Sequence, residues 1–249
     1  MAKDLFSKHA ETYARWRPGY PAELIDYIVS LVHGRDTAWD CATGNGQAAV
    51  LLAGHFDQVF ATDLSSQQLQ HAKQHPNITY SQSPAEQAGF ADNTFDLVTV
   101  AQAYHWFDQP AFCREATRVC KPGAIVAIWS YHLLYADDAI INDHIRYFYT
   151  DVTDPYWDAA RKYVDDKYRT VYFDFEEIAV HKEFSITVSW SIEDLSGYLN
   201  SWSAVQKYIS VNAENPVTPL MESLQKHWPA EAAIDFVFPL AVRIGRVKK

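Results

Sequence analysis

The chain has 249 residues, 48% of them apolar and 21% charged, with a formal net charge of −10. That length buries a substantial core, and the ordinary composition without a low-complexity tract excludes a disordered chain. The acidic excess, with Lys and Arg gathered only at Arg243, Arg246, Lys248 and Lys249, argues against a surface that tracks nucleic-acid phosphates and leaves that tail as a solvated terminus.

An N-terminal arm, residues 1–21, ends in E-T-Y-A-R-W-R-P-G-Y-P, where Pro18, Gly19 and Pro21 prevent one continuous helix. Leu24, Ile25, Ile28, Leu31 and Val32 then make a helical apolar stripe that stops at Gly34. A buried strand over Thr37 to Ala42 leads into a turn with Gly44 and Gly46, and a helix over 47–52 follows. The second strand, Gln58 to Thr62, closes at Asp63, and Ser65 caps a helix running to Lys73. Ile78 to Gln82 is the third strand. Phe95 to Ala101 is apolar enough for a central parallel strand covered on both faces. Helix 109–119 points Phe112, Ala116 and Val119 inward, Lys121-Pro122-Gly123 forms a type II turn, and Ala124 to Trp129 is the fifth strand.

Five strands alternating with helices imply a parallel sheet with right-handed crossovers. Residues 131–180 break the alternation with two or three helices, Ile141, Ile145 and Phe148 sharing a face, and an aromatic segment from Tyr168 to Phe175. Phe184 to Trp190 alternates as a strand, and Ser191 to Asp194 opens a helix with a capping box. The last strand, Ile234 to Arg243, holds Pro239 and so belongs at an edge or at a bulge. One α/β domain over 1–249 is expected: arm 1–21, cofactor-binding core 22–130, an inserted cap 131–180 over the strand ends, and final strands and helices 181–249.

Strand, glycine turn and helix in that order place backbone N–H groups at the positive end of a helix, and Gly44 and Gly46 let a ligand approach the main chain. Asp63 lies 19 residues beyond Gly44, where an acid suits ribose hydroxyls. Two ligand classes fit. With Ala49 the turn reads G-x-G-x-x-A, a relaxed dinucleotide fingerprint; with Asp40 it reads D-x-x-x-G-x-G, the pattern of S-adenosylmethionine enzymes.

Downstream segments discriminate. Asp40 through Gly46, Asp63, Ser83-Pro84-Ala85-Glu86 through Asp96, and Cys120-Lys121-Pro122-Gly123 resemble the successive motifs of class I S-adenosylmethionine-dependent methyltransferases. The resemblance spans nearly the whole chain. Tyr13 with Arg17-Pro18-Gly19-Tyr20-Pro21, then His105-Trp106-Phe107 and Ser201-Trp202-Ser203, resemble the branch that contains trans-aconitate methyltransferase. The resemblance implies a Rossmann-like, doubly wound, seven-stranded sheet, mostly parallel with an antiparallel last strand, plus the helical cap. It implies S-adenosylmethionine as cofactor, with Asp40, Thr43, Gly44, Gly46, Asp63, Leu64, Ala85, Glu86 and Gln102 around it. Asp40 then holds the methionine ammonium and Asp63 the ribose. Two positions depart from the pattern: Pro84 stands where many relatives carry an acid, and Ala124 replaces the second glycine of the L-K-P-G-G turn.

Tyr13, Arg17, Tyr20, His105 and Trp106 are the candidate acceptor-binding residues. Arg17 between two tyrosines suits a carboxylate. The expected partner is a small-molecule acceptor, with no nucleic acid or membrane, in a monomer or homodimer. A carboxylate acceptor arrives ionised, whereas a phenol or amine needs a base, for which His105 is the candidate. A quinone or other aromatic acceptor, a nicotinamide-dependent oxidoreductase and a non-catalytic binding module are the alternatives. No metal is expected, because His71 and His75 at i, i+4 lack a third ligand. No apolar run approaches the ~18 residues of a membrane span. The start, M-A-K-D-L-F-S-K-H, lacks a signal peptide's apolar core, and Cys41, Cys113 and Cys120 read as buried free thiols, so a cytoplasmic protein is expected.

Overall fold

The computed structural model describes residues 16–228 and 233–249, so Tyr13 and the arm before Trp16 lie outside the described residues. Helix α1 (Ala22–Ser30) leads into β1 (Thr37–Cys41), α2 (Gln47–Ala53), β2 (Gln58–Asp63), α3 (Ser66–Gln70) and β3 (Ile78–Gln82). Next come β4 (Phe95–Ala101), α4 (Gln109–Val119) and β5 (Cys120–Tyr131). All seven residues of β4 but the last are buried, as a strand covered on both faces requires.

Side-chain alternation along β1 divides the core. Trp39 joins Val98, Phe112 and Ala116 on one face, its indole N–H donating to Thr62 Oγ1 at 2.9 Å. Ala38 joins Leu24, Ile28, Ala49 and Leu52 on the other. Helices α1 and α2 thus cover one face and α4 the opposite one, which is the doubly wound layering. The sheet order is β3-β2-β1-β4-β5-β9-β6, with β1 parallel to both β2 and β4. The chain order reverses between β1 and β4, where α/β sheets open a crevice at their carboxyl ends.

The rest of the chain builds β6 (Tyr135–Ala136), α5 (Ala139–Tyr147), α6 (Arg161–Asp165), β7 (Glu176–Ile178) and β8 (Phe184–Trp190). Helices α7 (Ile192–Asn200), α8 (Ser203–Asn212) and α9 (Val217–Leu224) precede β9 (Ile234–Arg246). Ser191 caps α7 as expected: its hydroxyl accepts the Asp194 N–H while the Asp194 carboxylate accepts the Ser191 N–H. Strand β9 is antiparallel to β5 and also pairs with β6, β7 and β8. The described sheet therefore has nine strands, the seven expected and two short ones. Strand β9 has thirteen residues; its first six run past the pairing with β5, and there Phe236 and Val237 find partners in β6.

Three local expectations change. Pro239 lies inside the sheet rather than at an edge. Its carbonyl accepts the His132 N–H at 3.0 Å, so its N–H-less nitrogen falls on the same side, in the gap between the β5 and β6 pairings. Lys121-Pro122-Gly123 falls within the span of β5, where pairing jumps from Phe95↔Cys120 to Leu97↔Ile125, and Gly123 takes φ +77°, as a type II turn needs after Pro122. Helix α3 ends at Gln70, short of Lys73, whose N–H is taken by the Asn45 carbonyl at 3.1 Å. The basic tail is not a solvated terminus. Arg243 donates to the carbonyls of Tyr168 and Val171, Arg246 to that of Gly123, and Lys249 to those of Arg118 and Cys120. Among the described residues no helix is long and apolar enough to cross a membrane.

Candidate active site

Strand β1 ends because Ala42 turns to φ +54°, a left-handed conformation that also stops β4 at Gln102, φ +57°. Two non-glycine residues in this region, at the carboxyl ends of adjacent strands, mark strain beside the crevice. Neither was signalled by residue type. Asp40, the residue before Cys41, is only 1% exposed. Its Oδ2 accepts from Thr43 Oγ1 at 2.5 Å and its Oδ1 from Thr99 Oγ1 at 2.9 Å. Burial pushes its pKa up to about 6 against the opposing pull of those two hydroxyls.

Gly44 and Gly46 take φ +57° and +81°. A Cβ on Gly46 would stand 2.3 Å from the Tyr80 hydroxyl, so the turn has no room for a side chain there. Asp63 ties this turn to the second strand: Oδ2 accepts the Gly44 N–H at 2.9 Å and Oδ1 the Ser65 N–H at 2.8 Å. A carboxylate oxygen has two lone pairs and takes more than one donor. Leu64 follows with its carbonyl held by Gln82 Nε2 at 2.7 Å. Ala85 is buried, and Glu86 reaches across to accept the Asp108 N–H at 3.0 Å, joining the loop after β3 to the one after β4. Gln102 donates its N–H to the Trp129 carbonyl at 2.9 Å.

Gln102 also lines an open pocket of about 550 Å³, mouth included. Arg17, His105 and Trp106 line it too, which brings three of the expected acceptor residues together. Arg17 donates to the Tyr131 hydroxyl at 2.6 Å and the Ser201 carbonyl at 3.1 Å, with its guanidinium 5.4 Å from the Tyr198 ring centre. Tyr20 does not line this pocket; it packs edge-on against Trp129 at 5.5 Å.

His105 is 8% exposed, and its Nδ1 lies 2.9 Å from the Tyr168 hydroxyl. Burial, helped by the positive charge of Arg161, pushes its pKa down to about 3. Such a ring is neutral at neutral pH and holds a captured proton weakly, which makes it a poor general base. His105 stands in the pocket wall, hydrogen-bonded to Tyr168. Sequence reasoning missed Arg161 with Trp157 beside it, and Tyr131 and Tyr198, which line the pocket against Arg17. Trp157 stands four residues before Arg161 and Asp165 four after, spacing that could have singled the arginine out as a held side chain. Among the described residues no group of three or more His, Cys, Asp or Glu gathers as a metal site.

A family model described as a methyltransferase domain matches residues 39–128, from β1 into β5. Along 251 residues, 98% of this chain and 95% of the other, the sequence is 34% identical to a protein named as a methyltransferase in Dictyostelium discoideum. An uncharacterized methyltransferase of Mycobacterium tuberculosis is 31% identical over 127 residues, 50% of this chain and 51% of that one. A solved structure named as a type II methyltransferase from Anaeromyxobacter dehalogenans is 33% identical and superposes with a TM-score of 0.86 over 93% of this chain and 98% of that one. With the fold, the glycine turn and this identity along its length, the chain belongs to the class I methyltransferase-domain family.

Proposed function

We propose that this protein transfers a methyl group from S-adenosylmethionine to a carboxylate oxygen of a small organic acid, as the resemblance to the trans-aconitate methyltransferase branch implies. The observation that supports it most directly is the shared wall. Gln102 ends the strand beside Asp40 and also lines the pocket that holds Arg17 and Arg161. The residues present suit the cofactor. The bare turn at Gly44 and Gly46 admits a ligand against the main chain, Asp63 offers lone pairs to paired hydroxyls, and the Asp40 carboxylate complements an ammonium.

When bound, the cofactor supplies an electrophilic sulfonium methyl group. The protein's part is alignment and charge. Asp63 anchors the ribose end, Asp40 the amino-acid end, and Arg17 with Arg161 draw the acceptor anion into line. A carboxylate needs no proton removed, which matches a pocket whose histidine is neutral and weakly basic. A quinone or other aromatic acceptor is the second reading, favoured by the pocket's tryptophans and disfavoured by the want of a base. The thiols of Cys41, Cys113 and Cys120, all buried and free, suit a cytoplasmic enzyme.

Titration calorimetry with S-adenosylhomocysteine tests the reading. Clear binding is expected, and Asp63→Ala should weaken it roughly tenfold to a hundredfold, the worth of lost charge-assisted hydrogen bonds. Unchanged affinity in that variant removes Asp63 from the site.

A further inference from the structure

We infer that Trp16 is a positioning residue: seated on Gly197, its indole holds Arg17 as a bridge between the pocket wall and the start of the helix that follows the glycine turn. The inference rests on the proposed function, which assigns that turn to the cofactor.

The sequence shapes the segment. A proline disfavours a helical conformation in the residue before it, so helix stops at Trp16, and residues 18–21, bounded by Pro18 and Pro21, form neither helix nor strand. Successive side chains then meet different elements. The Arg17 guanidinium reaches the Tyr131 hydroxyl of β5 and the Ser201 carbonyl just past α7. Its own carbonyl accepts from Gln47 Nε2 at 3.2 Å, and Gln47 is the first residue of α2, directly after Gly46. Tyr20 packs on Trp129, whose carbonyl holds the Gln102 N–H. One short segment thus contacts residues adjoining both the glycine turn and the Gln102 turn.

Gly197 gives the segment its seat. It lies inside α7, where glycine weakens a helix relative to alanine. A Cβ there would stand 2.8 Å from Trp16 Cε3 and nearer still to Cδ2 and Cε2. Cδ2 and Cε2 are the carbons at which the two indole rings are fused, so the whole ring would have to move. The helix therefore keeps a residue that weakens it where a bare α-carbon admits the indole. Trp16 is bonded to Arg17, and moving the ring shifts the backbone whose carbonyl Gln47 holds. Docking of the indole and occupancy of the glycine turn then favour one another, and by linkage each strengthens the other equally.

Gly197→Ala tests this without altering a residue that lines the pocket or the turn. In calorimetry the variant should bind S-adenosylhomocysteine roughly threefold to tenfold more weakly than the unaltered protein, the worth of one neutral hydrogen bond. Trp16→Ala should show the same loss, and the double variant no more than either, because a single seat is broken. Melting temperatures separate positioning from stability. In the Trp16→Ala background the added methyl should raise the melting temperature about 2–4 °C by favouring the helix, whereas beside an intact indole it should not raise it. Hydrogen exchange over residues 17–20, read by mass spectrometry, should slow when S-adenosylhomocysteine binds the unaltered protein and stay unchanged in Gly197→Ala. Undiminished affinity in either single variant overturns the inference, as do losses that add in the double variant or an equal rise in melting temperature in both backgrounds. Failure of the unaltered protein to bind S-adenosylhomocysteine overturns the proposed function as well.

Discussion

Asp40 combines two demands that conflict when no ligand is present. Sealed at 1% exposure, it is held by Thr43 and Thr99, and burial nonetheless pushes its pKa to about 6 from the ordinary 3.8. Because the folded pKa is the higher one, Asp40's contribution to stability is complete below about pH 4 and is lost as pH rises through about 6, a swing of roughly 3 kcal/mol. A bound ammonium repays the ionised form. S-Adenosylhomocysteine should therefore raise the melting temperature more at about pH 8 than at about pH 5, and Asp40→Asn should abolish that difference. Thermal melts with and without ligand at both pH values read this out, and equal increments in the unaltered protein would show that Asp40 does not meet the charge. His105 teaches the complementary lesson. Its residue type and its place after β4 were visible in the sequence, but the burial and the Arg161 charge that lower its pKa, and the Tyr168 hydroxyl it meets, come from residues 56 and 63 positions away in the chain.

At the scale of elements, the β1–turn–α2 unit was legible because every signal in it is local. The apolar run, the paired glycines and the following helix former sit within 17 residues, and each acts on its own neighbours. Gly46→Ala tests how tightly the unit is drawn. The new Cβ meets the Tyr80 hydroxyl, itself donating to the Lys73 carbonyl at 2.7 Å, and φ +81° is strained for any L side chain. Urea unfolding should show a loss of about 1–3 kcal/mol, with S-adenosylhomocysteine affinity falling as the turn shifts. Full stability in that variant would mean that β3 yields more readily than its pairing with β2 suggests. The elements that escaped notice depend on partners far off in sequence. Strands β6 and β7 have two and three residues, too few for any period to show, and exist because β9 offers them an edge. Arg161 was hidden for the same reason: helix α6 has five residues, and the packing of Trp157 and Tyr149 brings its arginine to the pocket.

For the molecule as a whole, a strongly acidic chain has put much of its terminal positive charge into closing the fold. The final residues return to the edge where β4 and β5 begin. Val247, 2% exposed, donates its N–H to the Ala124 carbonyl at 2.9 Å and accepts the Gly123 N–H at 3.1 Å. Lys249 adds hydrogen bonds to Asn93, Arg118 and Cys120. These contacts link the last strand to the irregularity at Lys121-Pro122-Gly123, and they stand at the opposite end of the strands from the ligand crevice. Deleting residues 247–249 should thus separate stability from binding. Two backbone hydrogen bonds at about 1 kcal/mol each and one buried Val at about 1.5 kcal/mol give a loss of roughly 3 kcal/mol, the exposed lysine contributing little. In a domain of this size that lowers the melting temperature by about 6–12 °C. Affinity for S-adenosylhomocysteine, measured well below the melting transition, should stay within about twofold, since distant sites act independently. An unshifted melting temperature would return the tail to the solvated terminus that its composition suggests, and a collapse in affinity would mean that β5 transmits strain along its length to Trp129 and the Gln102 turn that hangs from it.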